Sequence, residues 1–281
     1  MFLGHFGLAF ATKPAAPAVS LGTLFLACQF ADLLWPVLLL AGVERVAIDP
    51  GNTAFTPLAF EHYPYSHSLL TLAGWGVLVA VLYRALGRVS ARAAVIVGLV
   101  VWSHWWLDVV MHRPDLPLRP GGDARLGLGL WNSVPGTLVV ETLLFGAGVL
   151  LYTRATCARD RAGSIGLWSL VAVLFAINLA NAFGPPPPSA TAIAIAGLAM
   201  WIFVWWGYYV DRHRVSNPGT DARGHGGTRG YRRVSGKTSC HAEVDVALPL
   251  QSRPQRDPLV PEVPRYPRVL RDPRVLVPGF R

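Results

Sequence analysis

Charge is what this chain has least of. Asp, Glu, Lys and Arg make up 15% of 281 residues, where a soluble domain of this length carries about 25%. That scarcity excludes an ordinary water-soluble enzyme, and no soluble nucleic-acid-binding module is visible. Cysteine is also scarce. Cys28, Cys157 and Cys240 lie far apart in different settings, which excludes a CxxC metal site and suggests no disulfide framework. Before the first apolar stretch there is no basic segment and no small-x-small cleavage pattern, so no cleaved signal peptide is expected.

What is present is long apolar runs, ten Trp and a mean hydropathy of +0.39. These predict an all-α, polytopic integral membrane bundle. Residues 2–12 are apolar but too short to cross a core that needs about 20 residues. They predict a helix entering partway and carrying His5. Full spans are expected at 18–43, interrupted by Asp32 and Trp35-Pro36, and then at about 66–83, 93–112, 135–153, 165–183 and 190–210. Residues 44–65 read as a polar loop, punctuated by Pro and Gly.

The net charge of +9 is unevenly spread. From Val215 onward there are 12 Lys and Arg against 6 Asp and Glu, so +6 lies in the tail and +3 in the rest. The chain therefore divides into a transmembrane domain, 1–214, and a Pro- and Arg-rich tail, 215–281. The tail cannot bury a core and is expected to be disordered. Its charge suits anionic membrane lipid. Arg84, Arg88 and Arg92 follow the second span, Arg154, Arg159 and Arg161 the fourth, and Arg212 and Arg214 the last. Basic loops face the cytoplasm, so both ends and the tail are expected there, in the inner membrane.

One stretch organises these elements. Within the apolar run 100–112, His104, Asp108 and His112 recur every fourth residue and so share one helix face. A carboxylate at mid-membrane depth costs roughly 2.5–3.5 kcal/mol on insertion scales, so Asp108 calls for a partner. Imidazole nitrogens and carboxylate oxygens on adjacent turns can converge on a divalent ion; a hydrogen-bonded His–Asp pair joining two spans is the alternative. His112 opens the polar run His-Arg-Pro-Asp115 and reads as interfacial. His62-Tyr-Pro-Tyr-Ser66-His67-Ser68 is the second motif, with Ser66 as a helix N-cap. With Asp32, Glu141, Asn178 and Asn181, these residues fall toward the outer leaflet in the expected orientation, as a shared cavity would require. Glu141 suits a carboxylate orienting an imidazole, a general base, or a lone hydrogen-bonded glutamate.

Gly4-His5, an Asp in the next helix, H-x-x-x-S-H-S and S-H-x-x-x-D, all within residues 4–118, resemble the inner-membrane metal-dependent hydrolases described as LexA-binding. That family is in turn similar to the zinc-dependent phospholipase C and P1-nuclease superfamily. The resemblance implies His5, Asp32, His62, His67, His104 and Asp108 as ligands of one or more divalent ions, with zinc favoured. It implies hydrolysis of an ester or phosphoester. The expected placement of the polar residues toward the outer leaflet suggests a lipid-like or other envelope-associated substrate at the outer side of the membrane. Where the family shows P-D-x-D-H, this chain has Ala31-Asp32-Leu33-Leu34-Trp35-Pro36. Arg113 and Arg119 would attract an anionic group. A transporter or permease using the same His/Asp cluster is the alternative, and no residue specifies a protein partner.

Overall fold

The computed structural model describes residues 1–87 and 89–217. The chain divides into two units, 1–243 and 244–281. The second, and with it most of the expected tail, lies outside the described residues.

The described chain is a helical bundle. Helix α1, Leu3–Thr12, is short, as expected; at 1.5 Å per residue it reaches about 15 Å. Then come α2, Leu21–Cys28, and α3, Phe30–Leu40. The long helices are α5, Leu69–Gly87; α6, Ala91–Met111; α7, Val134–Ala155; and α8, Arg161–Phe183. Helices α9, Ala190–Leu198, and α10, Trp201–Arg212, together make one more apolar crossing length. Among the described residues, five helices are long and apolar enough to cross a membrane, or six if α2 and α3 count as one broken span. The expected spans are therefore present, with ends moved by a few residues.

Side-chain caps fix several of these starts. Ser90 Oγ accepts from the Ala93 amide, Ser133 Oγ from Gly136 and Asp160 Oδ1 from Gly163, each worth about 1 kcal/mol. Ser66 does not cap the second span. It lies inside a one-turn helix, α4, Pro64–His67, and Ser68 Oγ takes the Thr71 amide in its place.

The break in the first span is not at Pro36. Helices α2 and α3 meet at Gln29 with a bend of 53°, and Pro36 sits within α3. The bend frees the last carbonyls of α2. One of them, at Cys28, accepts a hydrogen bond from His104 at 2.7 Å.

Helix α6 is the most enclosed of the long helices. It packs on α5 where Gly76 and Gly98 face each other; a Cβ on either would lie 2.6 Å from the other's carbonyl oxygen. Helix α1 packs on α7 in the same manner through Gly7 and Gly148. Small residues allow such approaches inside a membrane, where lipid gives no hydrophobic drive to helix contact.

The loop 44–65 carries an antiparallel hairpin, β1, Arg45–Ile48, with β2, Leu58–His62. The loop after α6 folds back as a second hairpin, β3, Leu116–Pro117, with β4, Arg125–Leu126. Leu128 N–H donates to Val109 O and Gly129 N–H to His112 O, both at 2.7 Å, which lays this loop over the end of α6. At the opposite end, β5, Thr156–Ala158, pairs with β6, Arg214–Ser216. Residues 214–216 are thus part of the fold, and the folded chain passes the expected boundary at 214. Cys28 is a free, buried thiol.

Candidate metal centre

Four helices deliver the polar side chains. Helix α1 brings His5, α3 brings Asp32, α4 brings His67, and α6 brings His104 and Asp108 with His112 at its C-cap. All are buried except Asp32, whose side chain is 24% exposed. Asp32 is the member of the set that opens toward the surroundings.

Asp108 is the hub. Its Oδ1 lies 3.1 Å from His5 Nε2 and 2.6 Å from the Met1 amino nitrogen. Its Oδ2 lies 3.2 Å from His104 Nε2 and 4.0 Å from both His67 Nε2 and His112 Nε2. Asp32 Oδ1 lies 3.3 Å from His67 Nε2 and 3.8 Å from His104 Nε2. Two overlapping triads have ligand atoms within 4.8 Å of one another: His5, His104 and Asp108, and Asp32, His67 and His104.

Each of three imidazoles is anchored through its other nitrogen. His104 Nδ1 donates to the Cys28 carbonyl. His67 Nδ1 lies 2.7 Å from Ser66 Oγ, which itself donates to Glu44 Oε2 at 2.5 Å. Glu44 is buried, and its Oε1 accepts the Tyr65 and Ser66 amides at 2.8 and 2.9 Å. With the Ser66 proton committed to Glu44, His67 Nδ1 is the donor to Ser66. His112 Nδ1 lies 2.9 Å from Asp115 Oδ1, which also accepts from Tyr63 O–H at 3.0 Å. A proton held at Nδ1 leaves the Nε2 lone pair free for a cation, the arrangement found around metal-bound histidines.

His104 Nε2 decides how well a cation fits. It is buried and has no hydrogen-bond partner, although two carboxylate oxygens stand within 4 Å. A buried polar atom without a partner is costly. Close approach without hydrogen-bond alignment is the geometry of atoms directed at a shared third point. The donor set of imidazole nitrogens and carboxylate oxygens suits zinc and its neighbours.

The sequence-predicted residues are placed as follows. His5, Asp32, His67, His104 and Asp108 come together. His62 does not reach the centre; it ends β2, and its ring faces Tyr65 at 6.3 Å. Successive side chains of an extended segment point to opposite sides, and it is buried Tyr63 that faces the centre, its ring 5.5 Å from that of His67. Glu141 is buried on α7, but no imidazole contacts it among the described residues. Its oxygens accept the amide hydrogens of Phe2, at 3.1 and 3.2 Å, and of Leu3, at 2.5 Å. It caps the start of α1 and so holds His5 in place.

His112 and Glu44 complete the picture. His112 is buried rather than interfacial, its ring 4.3 Å from that of Trp131. The i, i+4 stripe from His104 was its sequence signal, and the fold-back of 113–129 is what covers it. Glu44 is followed at once by Arg45 and carried no signal of its own.

Searches against family models, curated proteins and solved structures find no match to this chain.

Proposed function

We propose that the chain is a membrane-embedded, metal-dependent hydrolase of an ester or phosphoester. The observation that carries this reading is the convergence of Nε2 atoms on Asp108 and Asp32, with three Nδ1 atoms anchored behind them. His5, His67, His104, Asp32 and Asp108 would hold the ion, zinc being the one this donor set favours. A bound divalent ion supplies Lewis acidity and lowers the pKa of bound water toward about 7. The chain's own contribution is placement. Cys28 O and the Glu44–Ser66 pair fix two imidazoles in the ligating tautomer. Asp108 bridges α1 and α6, so the centre forms only when those helices are docked. Asp32, the more open carboxylate, would be the ligand nearest an entering water or substrate. In this reading the chain lies in the inner membrane with the centre toward the outer leaflet, where lipid-like substrates are at hand, and with the tail in the cytoplasm.

The test is elemental mass spectrometry of the detergent-purified full chain beside His104→Ala and Asp108→Ala. Near-stoichiometric zinc or manganese in the wild type, lost in both variants while each stays folded, is the expected result. A folded wild type that holds no metal even after reconstitution would sink the reading and favour a transport site built on the same residues.

A further inference from the structure

We infer a separate anion-binding subsite beside the metal centre, built for a phosphate group. It is a cavity of about 190 Å³ whose lining includes His62, Tyr63, Arg119, Asp123 and Arg125. A water's share of liquid is about 30 Å³, so a tetrahedral oxyanion fits with part of its hydration.

The fold explains how the cations gather. Leu116↔Leu126 and Pro117↔Arg125 pairing closes the β3–β4 hairpin. Arg125 stands in one arm, and Arg119 stands at the turn, where Gly121 has a positive φ of 67°. The Arg119 side chain lies over Gly122; a Cβ there would fall 2.9 Å from its Cγ and 3.0 Å from its Nε. His62 faces the hairpin from the end of β2.

Charge separates this cavity from an ordinary solvated face. Among the described residues, neither Arg119 nor Arg125 has a carboxylate within 4.0 Å. Arg113, expected from the sequence to attract the anion together with Arg119, is committed to Asp115 at 3.3 Å. Two guanidinium groups against one lining carboxylate, Asp123, leave the cavity positive. Guanidinium forks match phosphate oxygens geometrically as well as by charge.

Position gives the subsite its meaning. Tyr63 is the wall between cavity and centre. It lines the cavity, its ring lies 6.0 Å from that of His112, and its hydroxyl donates to Asp115, which holds His112 Nδ1. A phosphate held by Arg119 and Arg125 would thus sit one side chain away from the imidazole cluster. The binding claim stands on the cavity alone; the further step, that the substrate carries a phosphate, rests on the hydrolase reading.

The test uses the full chain, stripped of metal by chelator, in phosphatidylcholine nanodiscs at low salt. Inorganic phosphate is titrated by calorimetry into wild type, Arg119→Gln/Arg125→Gln and His62→Gln. The basic tail is common to all, so the difference between proteins reads the subsite. We expect binding about tenfold weaker in the double variant, and a smaller loss in His62→Gln, with unchanged melting temperatures. Equal isotherms in all three proteins would overturn the subsite. Competition identifies the source of the phosphate. Displacement by glycerol phosphate in solution points to a soluble ester, and displacement by phosphatidate in the disc to a lipid headgroup. Displacement by neither overturns the assignment to phosphate esters. Metal content, measured on the same variants without chelator, stays at the wild-type level. Absence of metal from the wild type would sink the hydrolase reading and leave the anion subsite standing, so the two failures are distinguishable.

Discussion

The imidazole rings of His5 and His104 are stacked, with centroids 3.7 Å apart and planes 8° from parallel. They come from α1 and α6, and Asp108 lies against both. In the hydrolase reading these two imidazoles would share one ion as neutral ligands, and protons would compete with metal for their lone pairs. Metal should therefore be retained at neutral pH and released in acid, as protons displace it from the ligands. Equilibrium dialysis against a graded pH series, followed by elemental analysis, measures this. Metal content that stays flat from neutrality down to the carboxylate range would show that the imidazoles are not ligands.

Ser66 connects Glu44 to His67. Removing its hydroxyl leaves a buried carboxylate with one donor fewer and an imidazole without its acceptor. Ser66→Ala should weaken metal binding about 10–100-fold, the usual cost of losing a partner behind a ligand. Competition with a chromogenic chelator gives the number. Ser68→Ala is the control: it loses the cap on α5, and should cost about 1 kcal/mol of stability with metal affinity unchanged.

Much of this arrangement was legible in the sequence. Low charge and apolar length specified the spans, and the four-residue spacing from His104 to Asp108 placed both on one face of α6. His5, Asp32 and His67 were found through motifs whose members the fold does bring together. The misses share one cause: period-based reading stops where helices end. His112 looked interfacial because the polar run after it resembles a loop leaving the membrane, yet residues 113–129 return and bury it. His62 looked equivalent to His67, but the two lie on either side of a strand-to-helix junction. Glu141 was open between a role beside an imidazole and a lone hydrogen-bonded glutamate; the amides at the start of α1 that lack a partner within the helix settle on it, and no local pattern announces an interhelix cap. The bend at Gln29 had no Pro or Gly to mark it.

Gly148 and Gly7 hold α1 against α7. A side chain at either position would drive into the other helix's backbone, and no rotamer relieves that. Gly148→Leu should destabilise the fold by about 1–3 kcal/mol, the typical cost of overpacking. It should also lower metal content, since α1 carries His5. Gly146, whose added Cβ would meet nothing within 4 Å, is the matched control, and Gly146→Leu should leave both unchanged. Thermal melts in detergent read the first effect and elemental analysis the second.

At the far end of the bundle, Asp160 Oδ2 lies 2.8 Å from His213 Nδ1, and Asp160 Oδ1 accepts the Gly163 amide. The His213 hydrogen bond first, and the amide second, hold the Asp160 carboxyl below its usual range. A lowered carboxylate pKa adds stability above the unfolded value of about 3.9 and loses it as the pH falls through the lowered folded value. Asp160→Asn should therefore melt below wild type at neutral pH, and the two curves should converge in acid. Parallel curves across the whole acid range would assign the difference to the helix cap alone.

His62 and His112 make the sharpest pair of substitutions. Both are imidazoles near the same end of the bundle, and sequence reasoning favoured His62 as the ligand. The structure instead directs His112 Nε2 at Asp108 Oδ2, 4.0 Å away, with Nδ1 anchored on Asp115, while the His62 ring faces Tyr65 and the anion cavity. His112→Gln should lower metal affinity by about tenfold, the lower end of the range for groups at the edge of a metal site. It should also shift the pH at which metal is released. His62→Gln should leave both measurements at wild-type values and change only phosphate binding. The opposite assignment, metal lost with His62 and kept without His112, would mean that the loop carrying β2 closes over the centre in a second conformation. Measuring metal and phosphate binding on the same two purified variants decides between them.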